Sequence, residues 1–231
     1  MISIFIQARM GSSRLPGKTM RPLMGKPVLW YVIDRARKIR HANDLVVLTT
    51  TRKNDNRIEQ YCRKLGVGCF RESEHNLIRR YKKASILFKS DIIIRLTADN
   101  PFFDPQIIEE GLKLHRIERA ALTTTRYIVG EEVINFLPKY LSFDIIESKW
   151  LQSLDMNETS SFEREHIIPY FFNRSNHYKI MIYKPFVLHD EGFCIDTSED
   201  FLLAEKIMEN LNWAAFTYQE IYDISISYKN I

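Results

Sequence analysis

The chain has 231 residues, of which 45% are hydrophobic and 12% aromatic, with only 8 Gly and 8 Pro; this excludes a disordered, collagen-like or low-complexity protein. At about 150 residues per domain, the length fits one domain with a small insertion. Thirty-three Lys and Arg against 29 Asp and Glu leave +4, a mixed charge with no general footing for nucleic acid or a membrane surface.

Ile2 to Ile6 reads as a strand, and after a polar loop Pro27 to Ile39 places Val28, Leu29, Val32, Ile33, Ala36 and Ile39 on one helical face, with Pro27 suited to the first turn. Leu45 to Leu48 is a continuous apolar run. Arg57 to Leu65 is helical in period, with Gly66 placed to stop it. Val67 to Phe70 is a short strand, Leu77 to Phe88 a helix and Ile92 to Leu96 a buried strand. Asp104 and Pro105 open a helix to about Leu114, and Ala121 to Thr125 closes the series. Apolar strands separated by helices of about 10–15 residues predict a doubly wound α/β core with a mostly parallel sheet. Ligands of such sheets bind beyond the carboxyl ends of the strands, which singles out the loops after Ile6, Leu48 and Leu96.

From about residue 127 to 184 the rhythm changes. Helices are expected near Phe143 to Leu154 and Phe162 to Asn173, the second capped by Ser160 and Ser161, and Tyr178 to Tyr183 reads as a strand. This span is read as an acceptor or dimerisation segment inserted in a single domain covering residues 1–231. Gly192 to Asp196 then returns to the sheet, and Thr197 or Ser198 caps a last core helix through Leu211.

Three segments carry chemistry. Gln7 to Lys18 follows the first strand: Gly11 permits a tight turn, Ser12 and Ser13 offer donors, and Arg9, Arg14 and Lys18 supply cations for a polyphosphate. It is neither a Walker A loop nor a G-x-G-x-x-G fingerprint, and its bland alternative is a solvated basic loop. Asp99 lies just beyond a buried strand, where a carboxylate holds a divalent cation or simply serves the turn before Asn100-Pro101. Asp196 is a second strand-end carboxylate; Ser198, Glu199 and Asp200 beyond it are explained as cap and first-turn residues.

Taken together, Ala8-Arg-Met-Gly-Ser-Ser-Arg-Leu-Pro-Gly-Lys18, Arg95-Leu-Thr-Ala-Asp99-Asn-Pro, Ile195-Asp-Thr-Ser-Glu-Asp200, Phe70 to Tyr81 and Phe162 to Tyr170 resemble the cytidylyltransferases that activate acidic sugars, of the acylneuraminate and 3-deoxy-manno-octulosonate type. The branch named for spore coat polysaccharide biosynthesis protein F is the most similar. The likeness runs from Ile2 to about Leu211. It implies transfer of CMP from CTP to an acidic sugar with release of pyrophosphate, magnesium as cofactor, and a homodimer. Arg14 and Lys18 are the implied catalytic residues, and Asp99 and Asp196 the metal ligands. Ala8, Arg9, Gly11, Ser12, Arg71 and Ser73 frame the nucleotide, backbone near Ala8 reading the cytosine edge. Arg164 and His166 are acceptor candidates, His166 alternatively a helix residue at a dimer contact. A phosphonate or polyol-phosphate acceptor, and a binding module without catalysis, stay open.

Glu72 stands where that branch usually carries Gly, and the stretch before Ile195 departs from its pattern, leaving His189 and Asp190 between acceptor recognition and a surface turn. Cys62, Cys69 and Cys194 match no disulfide or zinc spacing and read as small buried hydrophobes. With no apolar run near the ~20 residues of a membrane span, a cytoplasmic location is expected. His41, His115 and His177 receive no role. Most of Arg79 to Lys83 reads as the solvated face of a helix whose apolar face is Leu77, Tyr81, Ala84 and Phe88, and the aromatic stretch Trp213 to Tyr228 as core or subunit packing.

Overall fold

A computed structural model describes residues 1–130, 132–184 and 194–229. In chain order the elements are β1 (Ile2–Gln7), β2 (Pro22–Leu23), β3 (Lys26–Pro27), α1 (Val28–Ala36), β4 (Asp44–Thr50), α2 (Asn56–Lys64), β5 (Gly68–Glu72), α3 (Leu77–Leu87), β6 (Ile92–Thr97), α4 (Pro105–Glu118), β7 (Leu122–Thr124), β8 (Arg126–Val129), β9 (Glu132–Asn135), β10 (Asp144–Glu147), α5 (Ser148–Gln152), α6 (Ser161–Glu165), α7 (Ile167–Phe172), β11 (Ile180–Ile182), α8 (Ser198–Asn210) and α9 (Tyr218–Lys229). The main sheet has the order β11-β7-β10-β6-β1-β4-β5. β1 pairs in parallel with β4 and β6, β5 with β4, and β11 with β7, whereas β10 runs antiparallel to both of its neighbours.

The strands read as apolar runs because both faces are covered. Ile4 and Ile6 of β1 and Val47 of β4 join a core with α1, α2, α4, α8 and α9. Phe5, Val46 and Leu48, pointing the other way, join α3, α5 and α7. This is the doubly wound, mostly parallel architecture expected. Pro27 lies one residue outside α1, and Gly66 ends α2 at φ 65, a left-handed position where a side chain would be strained. Asp104 accepts from the Gln106 amide and caps α4, which continues four residues past Leu114. Trp213, Phe216 and Ile221 pack on the α1 side, as the core-packing reading of the aromatic stretch requires; Trp213 Nε1 donates to Asp34 at 2.9 Å.

Four expectations are corrected. Phe143 to Leu154 is not one helix: Asp144–Glu147 is β10, and only Ser148–Gln152 is helical. A short apolar run does not separate strand from helix by period, and a slot between β6 and β7 decides it. Consequently the span 127–184 is not a mere insertion, since β10 and β11 belong to the main sheet. The helix from Phe162 breaks at His166, three residues before Pro169, whose ring excludes a helical carbonyl four residues upstream. Finally, Cys194 to Asp196 form no strand; the Ile195 amide instead donates to Asp99 O at 2.9 Å, tying this segment to the loop after β6. Gly192, Phe193, His189 and Asp190 lie outside the described residues. Of the cysteines, Cys62 is buried while Cys69 and Cys194 are half-buried.

Candidate active site

A cavity of about 680 Å³ opens across the carboxyl ends of β1, β4 and β6 and is closed at one side by α6. Ala8, Arg9, Ser12, Arg14, Lys18, Asp99, Asp196, Arg164 and His166 all line it. The loop after β1 is shaped largely by its own backbone. The Ser12 and Gly17 amides both donate to Met10 O, Leu15 is buried, and Gly17 at φ 73 turns the chain into a short 3-10 turn that begins with Lys18. Thr19 Oγ1 closes the loop on Arg9 O at 3.0 Å.

The centre of the site is an ion cluster. Lys18 Nζ donates to Asp99 Oδ2 and Asp196 Oδ1, each at 2.8 Å, and Arg14 Nη2 reaches Asp196 Oδ2 at 3.0 Å. The two carboxylates are therefore no further apart than two hydrogen bonds on one ammonium. Asp99 is placed by the end of β6. Asp196 is placed by a capping box, in which Asp200 Oδ2 accepts from the Asp196 and Thr197 amides at 3.0 and 2.8 Å while Thr197 caps α8. Burial works against both charges, but the Lys18 ammonium holds the Asp99 carboxyl below its usual range. The same contacts to Asp99 and Asp196 outweigh desolvation at Lys18 and keep its ammonium above its usual value. Asp99 and Lys18 therefore both stay charged in the neutral range.

Of the two residues expected to meet the acceptor, Arg164 lines the cavity but is anchored through Nε to Thr159 Oγ1 (2.9 Å) and Nη2 to Met156 O (3.3 Å). His166 occupies the break between α6 and α7 and stacks on Phe162 with ring centroids 5.0 Å apart. Burial, with Arg95 and Arg126 nearby, holds its imidazole below its usual pKa, so it is neutral at pH 7. Beneath it, Asp144 is fully buried and takes both Arg95 and Arg126, the latter at 2.8 Å.

Three expected nucleotide residues are elsewhere. Arg71 does not line the cavity: Nε donates to Thr50 O, Nη2 to Arg52 O, and Nη1 to Asn56 and Glu59, so it braces the loop between β4 and α2. Ser73 acts through its carbonyl, which accepts from Arg80 Nη2 at 2.7 Å. Gly11 backs onto Glu74, where an added Cβ would lie 3.3 Å from Oε1. The Ala8 amide, expected near the base, already donates to Leu48 O at 3.0 Å. Glu72, the departure from Gly, receives the Ser73 amide at 2.9 Å and pairs with Lys83.

Sequence reading missed Asp55 and Arg80. Asp55 is 2% exposed and grips the first loop, accepting from the Met10 amide at 2.8 Å and from Thr49 and Thr50. The signal available in the sequence is a Thr-Thr strand end at 49 and 50, five residues before the Asp55 carboxylate. Arg80, read as solvated, is 4% exposed and lines the cavity.

The model of the cytidylyltransferase family matches residues 3–224. Spore coat polysaccharide biosynthesis protein SpsF of Bacillus subtilis is 30% identical, the match covering 87% of this chain and 83% of that one. The 3-deoxy-manno-octulosonate cytidylyltransferase of Nitratidesulfovibrio vulgaris is 36% identical over 46% of this chain and 42% of its own. Among solved structures, a cytidylyltransferase from Leptospira borgpetersenii superimposes with a TM-score of 0.87 at 29% identity, covering 99% of this chain and 95% of that one.

Proposed function

The chain belongs to the cytidylyltransferase family and is a CTP-dependent nucleotidyltransferase; from that premise we propose that it transfers CMP from CTP to an acidic sugar of the nonulosonate or 3-deoxy-manno-octulosonate type, for surface polysaccharide synthesis. The observation that carries this is the convergence of Arg14, Lys18, Asp99 and Asp196 in one cavity that His166 and Arg95 also line, with Asp144 and Arg126 paired behind Arg95. The name of the Nitratidesulfovibrio relative supports an acidic-sugar acceptor, and that of the Bacillus relative a role in polysaccharide synthesis.

In the proposed reaction a sugar hydroxyl oxygen attacks the α-phosphorus and gives up its proton to solvent, the bond to the bridging oxygen breaks, and pyrophosphate leaves. Arg9, Arg14 and Lys18 neutralise the charge that grows on the leaving group, so the protein works by orientation and electrostatics. His166, neutral at pH 7, offers a ring nitrogen to a sugar hydroxyl, and the net positive charge below it favours a carboxylate. Asp99 and Asp196 would hold magnesium: their oxygens already converge on one cation, and two carboxylates plus phosphate oxygens suit that ion. Among the described residues no group of three or more ligating side chains exists, which leaves other positions to substrate and water. When bound, the ion would supply positive charge against the phosphates. No helix among the described residues is long and apolar enough to cross a membrane; a cytoplasmic homodimer is part of the proposal.

The test is pyrophosphate release from CTP, UTP, ATP and GTP against acidic sugars, phosphonates and polyol phosphates, with and without magnesium. Release from CTP with an acidic sugar, dependent on magnesium, is expected. Release with CTP and only a phosphonate or polyol phosphate would replace the acceptor, and turnover unaffected by metal removal would discard the ion.

A further inference from the structure

Asp55 is the residue before α2, a position where a carboxylate ordinarily caps the helix by accepting from its first amides. Its side chain makes no such bond. Instead Oδ1 accepts from the Met10 amide at 2.8 Å, while Oδ2 accepts from the Thr49 hydroxyl and the Thr50 amide, each at 3.1 Å, and from the Thr50 hydroxyl. The residue is 2% exposed and among the described residues forms no ion pair. A buried carboxylate without a cation is costly and is held up by its donors alone. Forgoing the helix cap as well points to a task for the bond from Oδ1 to Met10.

Met10 shows what that task is. Its carbonyl accepts from the Ser12 and Gly17 amides, each at 3.0 Å, so the two ends of the turn that carries Arg14 close on this one residue, just ahead of Lys18. On its other side Arg9 O accepts from the Thr19 hydroxyl at 3.0 Å. Beyond the Ala8 amide on Leu48 O, it is Asp55 that ties the backbone of this loop to the segment after β4. That segment is braced in turn by Arg71, through Thr50 O and Arg52 O, each at 2.8 Å, and Asn56 Oδ1 at 2.7 Å. Support therefore runs from Arg71 to Asp55 to Met10, whereas neither Asp55 nor Met10 lines the cavity.

We infer that Asp55 is a positioning residue for nucleotidyl transfer: by fixing the Met10 peptide it holds the first loop in the shape in which Arg9, Arg14 and Lys18 meet the triphosphate, without touching the substrate. A preformed loop binds an anion at a smaller ordering cost than a loose one. The inference rests on this loop receiving the phosphates.

Asp55→Asn keeps the side-chain size but sets a donor against either the Met10 amide or the Thr50 groups; Asp55→Ala removes the tie with no mismatched donor. Thr49→Val deletes a bond to Oδ2 and leaves the one to Met10. Calorimetric titration with inorganic triphosphate and with cytidine, beside urea unfolding, separates positioning from bulk stability. Both Asp55 variants are expected to bind triphosphate about tenfold weaker and cytidine as the wild type does. Amide exchange should quicken together at Met10, Ser12 and Gly17 and stay unchanged inside β4. Thr49→Val should lower the urea midpoint and bind triphosphate as the wild type does. Unchanged triphosphate affinity in either Asp55 variant would overturn the assignment. So would an equal loss of cytidine binding, an equal loss of triphosphate binding in Thr49→Val, or loss of folding in both Asp55 variants, each of which makes the residue structural. A wild type that binds cytidine but not triphosphate would instead overturn the placing of the phosphates at this loop.

Discussion

Lys18 bridges two carboxylates that are 81 and 178 positions away in sequence. Lys18→Met removes the cation from the leaving group and leaves Asp99 and Asp196 face to face, so turnover should fall by about 10²–10³-fold, measured as pyrophosphate release in a variant that still folds. A second residue, His115, shows how context overrides composition. Its sequence neighbours are polar, yet it is 1% exposed, with Nδ1 3.0 Å from Thr123 Oγ1 and Nε2 without a hydrogen-bond partner. Burial, and to a lesser extent Arg116, push its pKa down to about 4. Between that value and the unfolded one of about 6.5 the unfolded chain binds more protons, so stability falls as pH falls. Urea unfolding should show the wild type losing about 2–3 kcal/mol more than His115→Gln between pH 7.5 and pH 4.5. Glu147 Oε2 lies 3.5 Å from His115 Nε2, and its carboxyl, held above its usual range first by burial and then by Asp91, acts in the opposite sense, so both proteins are compared in a Glu147→Gln background.

Among the elements, those with long and regular patterns were legible: α1 to α4, the parallel strands and the caps at Asp104, Ser160 and Thr197 follow local rules of period and capping. β10 was not, because the four residues Asp144–Glu147 carry no period that distinguishes them from the helix they precede. The packing of α4 on this strand's approach is unusually close. A Cβ at Gly111 would fall 2.5 Å from Phe143 Cζ and 2.7 Å from Cε2, and Phe143 is fully buried. In an isolated helix Gly→Ala gains about 1 kcal/mol, but overpacking costs about 1–3 kcal/mol. Gly111→Ala should therefore be neutral to destabilising by up to about 2 kcal/mol, seen as a lower urea midpoint with an unchanged slope.

For the whole molecule, the members of the site were readable one by one while their assembly was not. Strand-end carboxylates and a basic loop are visible in sequence, but the hydrogen bond from Ile195 to Asp99 O and the grip of Asp55 on Met10 join segments that no local pattern connects. Arg80 was misread for a related reason: a basic run marks a helix as exposed, and only the closure of the cavity over its second turn buries this member. Asp144 has the same long-range character, linking β10 to β6, β8 and β7 through Arg95, Arg126 and Thr124. Asp144→Ala strands two guanidinium groups and should cost about 3–5 kcal/mol in chemical unfolding, a larger effect than any single change in the first loop.

The antiparallel β10 also fixes an order of assembly. Among the described residues β7 pairs with β10 and β11 alone, so although it leaves the ribosome soon after β6 its first strand partner among them is β10. The strands β5, β4, β1 and β6, with their phosphate-facing loop, can pair as soon as residue 97 is available. The acceptor half follows, with β7 waiting as an unpaired edge. Its shortness, three residues, limits what that edge can recruit in the interval. The side of the cavity that handles the nucleotide is thus older, in the life of each molecule, than the side that chooses what receives it.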